Sequence, residues 1–219
     1  MHRRYIKSFV LHSLDPEDEA GTLLACADKI PKRARRRMSC LGILLSYVMD
    51  ELALDADTTL VYGTTFTEAN ALETYLDSLP LASPTAFQTS IHPGGIEQAL
   101  ILKKQPVGAF FPLAGDQTLF AQMMKYPFVA STCRTAVCGG EEQGGWLREF
   151  GVAHPVSFAF SLMISESPEN AIGCCDWNPS AAPGETWLPT MQEAVNRLHS
   201  DRILEFASKD HGSFKLRLG

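Results

Sequence analysis

The chain has 219 residues, 45% of them hydrophobic, and a formal net charge of −6. It can bury one sizeable core and reads as a single domain over 1–219. No apolar run approaches the roughly 18 residues of a membrane span, and the acidic balance disfavours nucleic acid and membrane surfaces. The mixed stretch after Met1-His2-Arg3-Arg4-Tyr5 is no secretory signal, so a cytoplasmic setting is expected. Its six cysteines (Cys26, Cys40, Cys133, Cys138, Cys174, Cys175) form no C-x-x-C and no His-associated spacing. Reduced, buried thiols and no metal or cofactor are expected.

In chain order, YIKSFVL at 5–11 predicts a first strand, and the residues at 15–19 and at Ile30-Pro31 predict turns. Lys32, Arg33, Arg35, Arg36 and Arg37 are predicted to open the next helix. Cations at a helix N-terminus oppose the macrodipole, at about 0.3–1 kcal/mol each where unscreened. The run is either a solvated helix start or a docking surface for an acidic partner. Met38, Leu41, Leu44, Leu45, Val48 and Leu52 form one apolar stripe, predicting a helix over 38–52. A strand over 59–62 ends at Gly63, and a helix over 67–79 follows with Thr67 as its cap. Phe66, Ala69, Asn70 and Glu73 would share one face of that helix.

Residues 81–122 organise the rest. Ser83-Pro84 predicts a turn and then an extended piece through Thr89. His92-Pro93-Gly94-Gly95 breaks the chain, with His92 in a structural role at the turn. A helix over 96–104 is stopped by Pro106. The apolar run 107–113 predicts a buried strand, and Ala114-Gly115-Asp116 a turn into a helix capped by Asp116. A strand, a tight turn and a helix start is where many α/β enzymes mount a nucleophile, which the helix N-terminus stabilises. Here Ala114 holds the turn, with no Cys or Ser flanking it.

Beyond a linker at Tyr126-Pro127, residues 134–138 predict a strand and 139–145 a flexible loop. That loop carries two glutamates and no Lys-Ser/Thr, so it is no phosphate cradle. After Pro155, residues 156–164 predict a long, nearly buried strand. A loop over 168–183, a helix over 187–199 and a hairpin turning at Asp210-His211-Gly212 close the chain. Strands alternating with helices predict an α/β fold.

The order of these pieces resembles the β-ketoacyl synthases of the thiolase-like superfamily. Ser83-Pro84-Thr85-Ala86-Phe87 matches their S-P-x-x-F segment, and Pro106 with the strand to Leu113 matches the piece that leads to their active-site Cys. Arg36-Arg37-Met38-Ser39, Val61-Tyr62-Gly63, Ala136-Val137-Cys138-Gly139-Gly140 and residues 156–164 resemble further pieces in the same order. The resemblance implies half of a thiolase-like fold: a mixed five-stranded sheet with helices on both faces, plus a C-terminal helix and hairpin. It puts Ala114 at the position of the acyl-accepting Cys. The second half of a ketosynthase, with its two active-site histidines, has no counterpart in this chain.

The chain is similar to β-ketoacyl synthase N-terminal-like, or chain-length-factor, proteins linked to aryl polyene clusters. That implies a subunit not catalytic alone, paired with a full-length β-ketoacyl synthase as a heterodimer or with a second copy, and served by an acyl carrier protein. Phe66, Ala69, Asn70, Glu73, Val107, Ala109, Phe110 and Phe111 would then line the tunnel and interface, and the basic run would dock the carrier protein. The alternative is an independent enzyme acting on acyl-thioesters through Ser90 or Cys138.

Overall fold

The computed structural model describes residues 1–115, 117–152, 156–180 and 187–219. Its centre is β5 (Phe158–Ser165), buried along its whole length. Phe158, Phe160, Leu162 and Ile164 enter one hydrophobic cluster, and Ala159 and Met163 enter another on the opposite face. This is the period-2 alternation of a strand covered on both sides. The predicted strand over 156–164 is therefore found where expected.

β5 lies between β4 (Arg134–Glu141) and β1 (His2–Ser13), antiparallel to both. β2 (Thr58–Thr64) runs parallel to β4 on one side and to β3 (Ala109–Ala114) on the other. β1 also pairs with β6 (Gly173–Asn178), which pairs with β8 (Gly212–Leu218) and through it with β7 (Ile203–Ser208). The sheet is thus mixed and eight-stranded, in the order β3-β2-β4-β5-β1-β6-β8-β7. The five strands expected are its first five. The hairpin joins the same sheet through β6, a strand hidden in the predicted loop over 168–183.

Helices cover both faces, as expected. On one side α1 (Glu19–Ala27), α3 (Cys40–Val48) and α6 (Gly94–Lys103) pack over Leu60, Tyr62, Ala136 and Cys138. The alanines there let α3 approach closely, and Ser161 Oγ donates to Val48 O at 2.6 Å across the gap. On the other side lie α7 (Leu119–Val129) and α9 (Met191–Ser200), the latter opened by a capping box between Thr190 and Glu193. Among the described residues no helix is long and apolar enough to cross a membrane.

Local signals were overridden at four places. Residues 84–90 form the helix α5 (Pro84–Ser90) and no extended piece: Ser83 Oγ accepts from Ala86 N, and Pro84 occupies the first turn, where its missing N–H costs nothing. α7 runs through Tyr126-Pro127 to Val129, held against the sheet by Leu119, Phe120, Met123 and Met124. Its N-cap is Thr118, and Asp116 lies outside the described residues. Gly139-Gly140-Glu141 continue β4 and are buried, where a flexible loop was predicted. Finally, β3 is an edge strand whose residues are half-buried or exposed, so the run over 107–113 is not the buried strand expected. Pro112, which lacks the N–H an inner strand would need, carried that signal.

The glycines of β4 are there for space. A Cβ on Gly139 would stand 2.7 Å from Gly63 O, and one on Gly140 2.4 Å from Phe158 O. Both obstacles are backbone and cannot rotate away. Gly140→Ala is therefore expected to destabilise the fold by about 1–3 kcal/mol, the usual cost of overpacking, as read from the urea midpoint.

Candidate functional site

Three buried glutamates converge at the C-terminal ends of β2 and β4. Glu141 ends β4 and accepts from Thr64 Oγ1 at 2.9 Å, from Phe66 N at 3.2 Å and from Thr65 N. Glu142 accepts from Leu41 N at 2.9 Å with one oxygen and from Ala71 N at 3.3 Å with the other. Those amides belong to the first turns of α3 and of α4 (Ala69–Asp77), where backbone N–H groups lack helical partners. Glu68 repeats the arrangement, accepting from Gly95 N at 2.9 Å in the first turn of α6. Its other oxygen lies 3.4 Å from His92 Nδ1, and the His92 ring stacks on Tyr62 with centroids 5.5 Å apart. His92, expected to serve its turn structurally, is thus held against Glu68 and Tyr62.

Burial pushes the carboxyl of Glu142 up to about 7, against the pull of its amide donors, and raises Glu141 for the same reason. Each of the three glutamates binds the start of a helix or the chain between β2 and α4. The cluster ties elements together. The pair Glu141-Glu142 sits in the run read from sequence as a loop, so the only signal was two acids following two glycines.

Ala114 is the last residue of β3, in register with Thr64, and exposed. Together with the start of α7 it keeps the strand-turn-helix order, with a methyl group at the turn. Phe66 is not on α4. Thr67, which was read as the helix cap, has φ 58°, and Glu68 occupies the N-cap position, so the chain changes direction between Phe66 and the helix. Ala69, Asn70 and Glu73 are on α4, but Glu73 accepts from Trp146 N at 3.2 Å in α8 (Gly145–Glu149) of the same chain. The four residues therefore do not form one free helical face. Along β3, Ala109 and Phe110 are half-buried, and Phe111 is 39% exposed and packs on Tyr126 at 4.8 Å between centroids. Val107 precedes the strand and packs against the cluster under α3.

The basic run is not the start of α3. Lys32–Arg35 form the single turn α2, and α3 has its own cap, Ser39, whose Oγ accepts from Gly42 N at 3.0 Å. Lys32, Arg33, Arg36 and Arg37 are exposed and Arg35 half-buried. None of the five forms an ion pair among the described residues. Arg33 and Arg37 line a hollow of about 640 Å³ between α2, α5 and α6, with Met38, Thr89 and Ile101 among its walls. Arg36 lines an adjoining hollow of about 360 Å³.

Cys138 is fully buried in β4, and burial pushes its thiol far above the ordinary range. Ser90 donates its hydroxyl to Phe87 O at 2.8 Å on α5. All six cysteines are free.

Glu142 also makes stability depend on pH. Its folded carboxyl titrates near 7, above the ordinary 4.5, so its contribution to stability is complete below pH 4.5 and is lost as pH rises towards 7. Glu142→Gln is expected to flatten that fall in a series of urea midpoints between pH 4.5 and 7.5. A parallel curve for the variant would assign the slope to other groups.

No family model matches the sequence, and no curated protein matches it. Solved structures do. A chain of the ketosynthase (ApeO) in complex with its chain length factor (ApeC) from Xenorhabdus doucetiae matches with a TM-score of 0.66 and 16% identity, over 99% of this chain and 100% of that one. The ishigamide ketosynthase/chain length factor matches with a TM-score of 0.67 and 11% identity, over 99% of both chains. A β-ketoacyl synthase from Burkholderia phymatum STM815 matches with a TM-score of 0.56 and 11% identity, over 97% of this chain and 76% of that one. At such identities the likeness is one of fold, and it extends over nearly the whole chain: the fold is thiolase-like, as in the chains of ketosynthase and chain-length-factor complexes.

Proposed function

We propose that this chain is a chain-length-factor-like subunit, without condensing chemistry of its own, that pairs with a full-length β-ketoacyl synthase in polyene or fatty-acid-like synthesis. One observation carries the reading: the strand that ends at Ala114, where the resemblance places the nucleophile, is an apolar sheet edge with no outer neighbour among the described residues. Condensation needs an activated thiol and groups that stabilise an enolate, and Ala114 supplies neither. An apolar edge with open backbone groups pairs readily with another chain. The residues of that interface would be Val107, Ala109, Phe110 and Phe111. The near-complete overlap with chains of two ketosynthase and chain-length-factor complexes supports the pairing.

In this arrangement Phe66, Ala69 and Asn70, at the exit from β2, border the acyl tunnel of the partner. Glu73 supports them from behind through α8. The unpaired cations Lys32, Arg33, Arg35, Arg36 and Arg37 receive the acidic acyl carrier protein, which offsets their mutual repulsion.

Co-expression with a full-length β-ketoacyl synthase tests the pairing. The two chains should co-elute, and Phe111→Asp should weaken the complex at least tenfold while leaving the melting temperature of the isolated chain within a few degrees. The isolated chain should neither decarboxylate malonyl thioesters nor condense them, and turnover by it would overturn the assignment. Within the intact pair, Phe66→Ala should lengthen the product without stopping synthesis. An unchanged product would remove Phe66 from the tunnel. A double charge reversal, Arg33→Glu with Arg37→Glu, should raise the KM for the carrier protein and reduce its salt dependence, with kcat unchanged.

A further inference from the structure

The thiol chemistry missing at Ala114 has a different candidate on the far side of α3. Cys26, at the end of α1, places its Sγ 3.0 Å from Nε2 of His12, near the end of β1. Cys26 is 4% exposed, and the His12 ring packs on Tyr47 of α3, 4.6 Å between centroids. Burial lowers the basicity of His12 and raises the Cys26 thiol, so the neutral pair is favoured, and in the tautomer that leaves Nε2 unprotonated the imidazole accepts from the thiol. A neutral imidazole hydrogen-bonded to a thiol is a general base already in place.

Cys26 borders an opening, with His12 behind it. Cys26 lines a hollow of about 270 Å³ together with Ser46, Tyr47, Asp50, Lys29 and Lys103. Ser46 is 4% exposed, and its hydroxyl has no hydrogen-bond partner among the described residues. A buried hydroxyl without a partner costs about 1–3 kcal/mol, so the wall of the hollow that holds Cys26 also carries a free donor for an incoming oxygen. At the mouth, Lys29 and Lys103 both bind Asp50, at 2.7 and 2.9 Å, and hold its carboxyl down at about 2. Asp50 therefore stays ionised across the physiological range, and the two ammonium groups leave the mouth with a positive excess. Cys40 is the other thiol near Cys26.

We propose that Cys26, with His12 as its base, is an acylation site for short acyl thioesters. Sγ attacks the thioester carbonyl while His12 Nε2 takes the thiol proton, and Ser46 Oγ donates to the carbonyl oxygen. The carbon–sulfur bond to the carrier then breaks, and the departing sulfur receives the proton from His12. One thioester is exchanged for another, and no oxidant or reductant is needed. The hollow admits a short acyl group and excludes a long one. This site is independent of the pairing proposed above, because its residues lie on or next to α1, α3, α6 and β1 and none is on β3.

The experiment treats the full chain with the acetyl or butyryl thioester of N-acetylcysteamine and follows intact mass and peptide maps. One acyl group on Cys26, removable by hydroxylamine, is expected. Cys26→Ala should abolish it, and His12→Gln should slow it at least tenfold with the melting temperature retained. Above the titration of His12 the rate should be flat with pH, whereas attack by a free thiolate would rise about tenfold per pH unit. Acylation of the exposed Cys133 alone, or an unchanged rate in His12→Gln, would overturn the proposal. So would a rate that climbs with pH throughout. These outcomes leave the co-elution test untouched, so the two readings fail separately.

Discussion

The structure depends on one arrangement: carboxylates buried at the C-terminal ends of parallel strands, each accepting from the amide donors of the chain that follows or of a helix start. Glu142 is the pivot, since one side chain holds the first turns of both α3 and α4. A helix end buried without partners leaves donors that cost about 1–3 kcal/mol each. A carboxylate satisfies two of them at once, and its charge suits the positive end of a helix dipole. The opposing term is desolvation, which is why the carboxyl of Glu142 is pushed up to about 7. The amide donors limit that rise without cancelling it.

That arrangement requires β4 to carry Glu141 and Glu142 deep into the molecule, and this explains its glycines. Only residues without a Cβ pass between Gly63 O and Phe158 O while the strand stays paired on both sides. In sequence the same residues look like a flexible loop, because glycine beside glutamate has no periodicity and little strand preference. What fixes them is a steric demand from β2 and β5, strands far away along the chain. The strand over 156–164 was legible because an apolar run without polar alternation marks a strand covered on both faces. The glutamate cluster was not, because it is assembled from Glu68, Glu141 and Glu142 only after the sheet has formed.

The edge position of β3 was obscured for a related reason. An apolar strand covered by a second molecule and one covered by its own helices have the same composition. Pro112 distinguishes them, since it removes a ladder donor and is tolerated where one side of the strand is open. The helix face proposed around Phe66 failed at Thr67, where a positive φ redirects the chain before α4 begins. The spacing of Phe66, Ala69, Asn70 and Glu73 was helical, but periodicity does not report where a helix starts. The basic run was misplaced in the same way: Ser39 supplies α3 with its own cap, so the cations stand apart from that helix.

The two ends of the sheet are then unequal, and the inequality has a direction. At the far end, β7 is short, exposes Glu205, and engages it with Lys215 on β8. Charge on an outer strand opposes pairing with another chain. The β6-β8-β7 extension also keeps β1 from being an edge, with Asp176 of β6 held by Arg3 at 2.7 and 3.0 Å beside Arg217. At the near end β3 has no such charge, and its outer residues are Phe111, Pro112 and Leu113. One edge thus carries ions, and the other is apolar with a proline that removes one ladder donor. A partner seated on β3, as proposed above, would lie next to Ala114, where the turn carries only a methyl group.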